Sequence, residues 1–203
     1  MLAARGAEVL QADEIGREMM RPGQAMYAAI LERFGAGVER EDGELDRAEL
    51  ARLAFTEGRV EELNEIVHPA VIARQAEIAE GIAARDPEAV LVVESALIFE
   101  TKYGGDGGWR QRFDRLVLVQ AADASKVVRF VERASKGGDL GEEDIAELKR
   151  EAQRRLAKQM GDAEKAKFCD YVLKNGGSLA ELEAQVDALW PVLVSEARTR
   201  PRS

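Results

Sequence analysis

Two runs of consecutive apolar residues constrain this chain most: Ala89-Val90-Leu91-Val92-Val93, and Leu116-Val117-Leu118-Val119 after Arg115. A strand that is apolar at every position has no wet face, so it belongs in a parallel sheet covered by helices on both sides. Asp170-Tyr171-Val172-Leu173-Lys174 repeats the pattern more weakly, and Glu8-Val9-Leu10-Gln11-Ala12 reads as a further short strand. The segments between them are helical: about Asp123 to Ser135, about Glu142 to Met160, and a last helix running to about Ala197. That last helix opens on Ser178-Leu179-Ala180-Glu181, a capping-box spacing in which each polar side chain satisfies the other's backbone donor. Strands alternating with helices predict an α/β fold with a mainly parallel sheet.

The stretch from Gln24 to about Arg85 breaks that alternation. Ala25, Ala28, Ala29, Ile30 and Phe34 mark one helical face, Asp46 followed by Glu49 has capping-box spacing, and Pro69 suits the first position of a new helix. No strand is needed there, so the expectation is an all-helical lobe inserted between sheet strands. Tyr27, Phe34 and Phe55 are expected in its core, and Cys169 as a small buried apolar residue.

Composition removes several functional classes. A single cysteine excludes an intramolecular disulfide, and one histidine with one cysteine cannot build a Cys/His zinc site. The apolar runs stop far short of the ~20 residues that span a bilayer, and Arg5 and Glu8 interrupt any N-terminal signal core. A soluble, cytoplasmic chain is expected. The net charge of −9 argues against a general grip on nucleic acid, which draws its free energy from Lys and Arg meeting phosphates. The stretch Tyr103-Gly104-Gly105-Asp106-Gly107-Gly108-Trp109 lacks the Lys-Ser/Thr of a phosphate loop and reads as a flexible connector.

In open parallel sheets ligands bind beyond the carboxyl ends of the strands. Asp13, Glu100, Gln120, Asp123 and Asn175-Gly176-Gly177 follow the four strands. Asp13 is suited to orienting or deprotonating a hydroxyl, and equally to capping the helix that follows it. From Lys126 to Lys158 nine basic residues stand against seven acidic ones. Arg129 and Arg133, and separately Arg150, Arg154 and Lys158, recur every fourth residue and line helical faces. Such faces either clamp polyphosphate oxygens or form surface ion pairs with residues such as Glu147 and Glu151. His68, just before Pro69, either satisfies backbone groups or contacts a ligand.

Taken in order, Gly6-Ala7-Glu8-Val9-Leu10-Gln11-Ala12-Asp13-Glu14-Ile15, Pro22-Gly23, Phe34-Gly35, Asp42-Gly43-Glu44-Leu45-Asp46-Arg47, Leu63-Asn64-Glu65-Ile66-Val67-His68-Pro69, Leu97-Ile98-Phe99-Glu100, Gln159-Met160, Glu164-Lys165 and Asp170-Tyr171-Val172-Leu173-Lys174-Asn175 resemble the dephospho-CoA kinase family. The resemblance implies a three-layer P-loop NTPase-like parallel sheet (1–20, 86–122 and 168–203), an inserted helical CoA-binding lobe (21–85) and a helical lid (123–167). It implies transfer of the γ-phosphoryl group of ATP, with Mg2+, to the ribose 3′-hydroxyl of dephospho-CoA. By position, Asp13 becomes the catalytic carboxylate, and His68 a contact of the CoA moiety. Arg129, Arg133 and Arg155 become lid residues on the substrates, and Asn175 and Gly177 lie near the adenine. No metal ligand is assigned.

Some positions depart from the family pattern: Gln11 for a frequent Asp, Ala96 for a frequent Pro, Cys169 for a usual Ala, and a longer lid. The family also carries a strand and a G-x-x-x-x-G-K-[ST] loop ahead of the first helix, and no such motif occurs in the 203 residues. That loop cradles the β- and γ-phosphates. The expectation is therefore that Met1 is an internal methionine of a longer reading frame or that the chain is truncated, and that the chain as written binds ATP poorly. A non-catalytic CoA-binding remnant and another small-molecule kinase of the same fold are the alternatives.

Overall fold

In the computed structural model, which describes residues 1–102, 108–135 and 141–199, the first strand β1 (Glu8–Gln11) runs directly into α1 (Ala12–Met19). The helices α2 (Ala25–Phe34), α3 (Arg47–Phe55) and α4 (Val60–Arg85) follow. Then come β2 (Leu91–Glu94), β3 (Val117–Gln120), α5 (Asp123–Ser135), α6 (Glu142–Ala157), the short α7 (Asp162–Lys165), β4 (Tyr171–Lys174) and α8 (Leu179–Thr199). Residues 103–107, most of the glycine-rich connector, and 136–140 lie outside the described residues; Gly108–Gln111 forms a 3-10 turn.

The strands pair as two parallel ladders, β1 with β2 and β3 with β4. The alternation of strand and helix thus produces the parallel pairing expected. Complete burial of both strand faces does not follow: Val119 in β3 is 51% exposed, and Val9 and Val172 are also exposed. Among the described residues each ladder holds two strands.

The chain divides into two compact units. The first comprises Leu2–Ala96 with the described parts of Thr101–Gly108 and Leu193–Ser203; the second is Leu97–Glu100 with the described part of Trp109–Val192, and Met1. An apolar cluster lies in the first unit, where Ile15, Met26, Tyr27, Ile30, Val38, Leu45, Leu50 and Val71 pack together. Ile30 and Val38 are fully buried.

The Asp42-Gly43-Glu44-Leu45-Asp46-Arg47 stretch shows how sequence dictates this packing. Asp42 Oδ1 accepts from Glu44 N at 3.1 Å and Gly43 takes φ +80°, a left-handed geometry that glycine adopts without strain. The turn returns Leu45 to a bridge with Glu39 and into the core. Asp46 then caps α3, its Oδ1 accepting from Ala48 N and Glu49 N at 3.0 Å each. The second half of the expected capping box does not form there, because Glu49 turns to Arg52 at 2.7 Å. Tyr27 seals the turn by donating toward Glu39 Oε1 (2.5 Å) and Gly43 O (2.7 Å). The Glu39 hydrogen bond, with burial, pushes the Tyr27 hydroxyl up to about 12.

Three expectations are corrected. Pro69 does not start a helix; α4 continues through it from Val60 to Arg85. Proline withholds the N–H that the residue 65 carbonyl would accept, at a cost of ~3 kcal/mol. Leu63, Ile66 and Val67 before it and Ala70 and Val71 after it all pack on the same core, which holds the helix through the break. Phe55 is not a core residue: it ends α3 and is 65% exposed. Cys169 is half-buried rather than buried, and partial burial, with Asp170 beside it, raises its thiol pKa.

Candidate functional site

Asp13 is an exposed residue in the first turn of α1, just beyond β1. It does not cap that helix: the cap position is Gln11, whose side chain makes no capping bond. The helix start nonetheless favours a carboxylate here, since unsatisfied N–H groups carry partial positive charge. Only capping is removed as a competing role, and Asp13 stands where a strand end delivers it.

His68 lies in the same unit, in the middle of α4, and is half-buried. Its Nδ1 is 2.9 Å from Thr101 Oγ1, which ties α4 to the stretch after Glu100. Burial pushes the imidazole below its ordinary range, and the nearby Glu61 only partly offsets this. The ring is therefore neutral at pH 7, able to donate through one nitrogen and accept through the other.

The remaining expected residues belong to the other unit. Arg129, half-buried on α5, donates from Nη2 to Asn175 O at 3.0 Å, so two of the expected residues meet directly. Asn175 follows β4 and is held by its own N–H to Gln120 O at 2.7 Å. Gly177 precedes the cap of α8, where Ser178 N donates to Glu181 Oε2 (2.7 Å) and Glu181 N to Ser178 Oγ (3.2 Å), the reciprocal box expected. A Cβ at Gly177 would fall 2.0 Å from Glu181 Oε2, so any side chain there displaces the capping carboxylate. Arg133 is exposed on α5. Arg155, exposed on α6, is engaged with Glu151 at 2.7 Å and lies 5.3 Å from the Phe130 ring centroid.

The ion-pair reading of the basic faces holds along α6, where Arg150 meets Glu147 (2.7 Å) and Arg154 meets Glu147 (2.8 Å) and Glu151 (2.9 Å). On α5, by contrast, Ala124, Ser125, Val128, Arg129 and Glu132 line an open hollow of about 340 Å3.

Sequence reasoning missed two polar ties in this unit. Lys165, only 7% exposed, pairs with Glu100 Oε1 at 3.0 Å, and the same oxygen accepts from Met160 N at 3.0 Å. Glu100 Oε2 is buried without a hydrogen-bond partner among the described residues. Asp162 pairs with Lys126 at 2.7 Å and accepts from Ala121 N at 3.3 Å. The signals available were the places of Glu100 and Lys165 in the family-like motifs and of Lys126 in the basic segment; none names its partner.

Among the described residues no three His, Cys, Asp or Glu side chains cluster to hold a metal ion. Magnesium that arrives on nucleotide phosphates needs only one or two carboxylates, often through water, and the exposed Asp13 suits that use.

The dephospho-CoA kinase family model matches residues 1–181. The chain belongs to that family. It is 37% identical over 190 residues to a dephospho-CoA kinase of Leifsonia xyli subsp. xyli, covering 93% of this chain and 87% of the relative. It is 34% identical to the dephospho-CoA kinase of Methylococcus capsulatus, covering 93% and 85%. A solved structure from Thermus thermophilus is similar at TM-score 0.67 and 29% identity, covering 95% of this chain and 87% of that one. A dephospho-CoA kinase from Campylobacter jejuni, at TM-score 0.59 and 19% identity over 95% and 88%, shares the fold. The parallel ladders and their helices are thus those of the P-loop NTPase-like α/β fold of the dephospho-CoA kinase family, as the sequence motifs implied.

Proposed function

We propose that this protein phosphorylates the ribose 3′-hydroxyl of dephospho-CoA with ATP, the last step of coenzyme A synthesis, in the cytoplasm. Membership of the dephospho-CoA kinase family carries the reading. None of the described helices is long and apolar enough to cross a membrane, which accords with water-soluble substrates. We read residues 21–85 as the acceptor lobe, 123–167 as the lid, and 1–20, 86–122 and 168–203 as the core.

In the reaction the 3′-oxygen forms a bond to the γ-phosphorus while the bond from that phosphorus to the β–γ bridging oxygen breaks, and ADP leaves. The proton of the hydroxyl passes to the Asp13 carboxylate and from there to solvent. Asp13 is the group to orient that hydroxyl because it is exposed, follows a strand end and has no capping duty. Neutral His68, held through Thr101, contacts the CoA moiety by hydrogen bonding rather than by charge. Arg129, Arg133 and Arg155 offset phosphate charge, and Asn175 and Gly177 border the adenine. Phosphoryl transfer asks little beyond positioning and electrostatic stabilisation, and that is what arginines supply. Magnesium, bound with the nucleotide, neutralises its phosphate oxygens.

The test is a coupled assay with ATP, Mg2+ and dephospho-CoA, with the site of phosphate attachment read by phosphorus NMR. A 3′-phosphorylated product supports the reading. Phosphorylation of nucleoside monophosphates in preference to dephospho-CoA overturns it.

A further inference from the structure

The Asp162–Lys126 pair stands at the root of the α5–α6 hairpin and differs from the ion pairs along α6. Its side chains are 17% and 26% exposed, against 55% and 56% for Glu147 and Arg150. It also uses both carboxylate oxygens. Oδ1 meets Lys126 Nζ in the first turn of α5, and Oδ2 accepts the N–H of Ala121, in the chain entering that helix. Asp162 itself opens α7, shortly after α6 ends. One carboxylate thereby fastens both feet of the hairpin.

That tie matters because α5 buries no residue among those described. A helix without a buried anchor takes its position from its neighbours and from polar ties. Arg129 follows Lys126 by one helical turn and donates to Asn175 O. A backbone carbonyl is a neutral acceptor, whereas a phosphate is anionic and can accept two parallel N–H bonds from one guanidinium. The guanidinium can therefore exchange Asn175 O for a nucleotide phosphate without the helix root moving, provided the root is pinned.

We propose that Asp162, acting through Lys126, is a positioning residue that holds the first turn of α5 so that Arg129 is presented to the phosphates of ATP. The inference rests on the reading of Arg129 as a phosphate-binding residue.

Titration calorimetry with Mg2+-ATP and separately with dephospho-CoA tests it on the full chain and on Asp162→Asn, Lys126→Met, Arg129→Met and the double variant Asp162→Asn/Arg129→Met. Thermal unfolding and circular dichroism of each variant verify folding. Asp162→Asn and Lys126→Met weaken ATP binding about threefold to tenfold, the span of roughly 0.6 to 1.4 kcal/mol expected for coupled neighbours. The double variant binds ATP no more weakly than Arg129→Met alone, dephospho-CoA affinity is unchanged, and Asp162→Glu recovers most of the loss. Additive losses in the double variant, or a parallel loss of dephospho-CoA affinity, reveal a general structural tie and overturn the proposal. If Asp162→Asn does not fold, the comparison of Asp162→Glu and Lys126→Met decides by the same criteria. ATP binding weakened by Arg129→Met but indifferent to Asp162→Asn and Lys126→Met overturns this inference alone, whereas ATP binding indifferent to Arg129→Met overturns the reading of Arg129 and the inference with it.

Discussion

Asp13 and His68 illustrate two ways in which a single side chain acquires a role. Asp13 is placed by the strand-to-helix junction, and the structure removes its competing duty as a cap. Replacing it by Asn keeps size and removes the carboxylate to which the proposed reaction assigns the proton. The expected outcome is a fall in kcat of about 100-fold to 10,000-fold with KM for dephospho-CoA nearly unchanged, measured by steady-state kinetics. His68 is placed by burial, which holds its pKa below the unfolded value. A basic group depressed in the folded state contributes stability above its unfolded pKa of 6.5 and loses it as pH falls through the folded value. The protein is therefore expected to melt progressively lower on acidification below about pH 6.5, and His68→Gln to flatten that slope by a degree or two per pH unit, on the order set by small-domain unfolding entropies. Scanning calorimetry across pH 5 to 8 reads it; a slope identical in the variant would assign the loss to other groups. The residue types of both positions were visible in the sequence. The burial of His68, its bond to Thr101 and the freedom of Asp13 from capping were not, because each depends on residues or geometry that spacing does not fix.

At the scale of elements, local rules were the most legible. The Ser178–Glu181 box opens α8 as its spacing demands, and the strands at Glu8, Leu91, Val117 and Tyr171 form within a few residues of the apolar runs that announce them. Pro69 shows where local rules lose: its helix-breaking cost is met by an apolar face continuous on both sides, a tertiary term that no window around the proline contains. Phe55 failed for the opposite reason, since helical spacing alone does not reveal which end of a short helix projects into solvent. The pairing of Lys126 with Asp162 was hidden because its partners lie on different elements. Two predictions belong here. Ser178→Ala removes half of the box and is expected to cost about 1 kcal/mol. Gly16 is buried inside α1, and a Cβ there would meet Val71 Cγ2 at 3.6 Å, an ordinary contact. Gly16→Ala is therefore expected to stabilise by about 0.5 to 1 kcal/mol. Urea denaturation measures both, and a destabilising Gly16→Ala would mean that α1 and α4 pack more tightly than this contact allows.

Across the whole molecule, burial is distributed unequally between the two units, and stability should follow it. The unit holding α1 to α4 contains a cluster of eight buried apolar side chains, with Ile30 and Val38 fully buried. In the other, the buried apolar side chains Leu116, Leu173, Val186 and Leu189 come from the entry to β3, from β4 and from α8, while α5 contributes none and α6 only Ala152. The α6 surface instead carries ion pairs between exposed side chains, each worth at most about 1 kcal/mol and weakened by salt. Local opening is cheapest where few apolar contacts break. Native-state hydrogen exchange is therefore expected to protect the amides of α2 and of α4 around Val71 longest and to release those of α5 and α6 well before them. Raising salt should widen the gap, because it weakens the surface pairs and leaves apolar burial intact. Ile30→Ala, which truncates a fully buried member of that cluster, is expected to cost about 2 to 5 kcal/mol and to lower the protection of α2 and α4 together, since both pack on that side chain's cluster. If α5 and α6 instead exchanged at the same rate as α2 in the unsubstituted chain, the hairpin would be held by something other than the polar ties described, and the pinning of its root by Asp162 would lose its purpose. Slower exchange of α5 on adding Mg2+-ATP, with α2 unaffected, is the corresponding expectation for a helix that orders its arginines on phosphate while the apolar unit stays as it was.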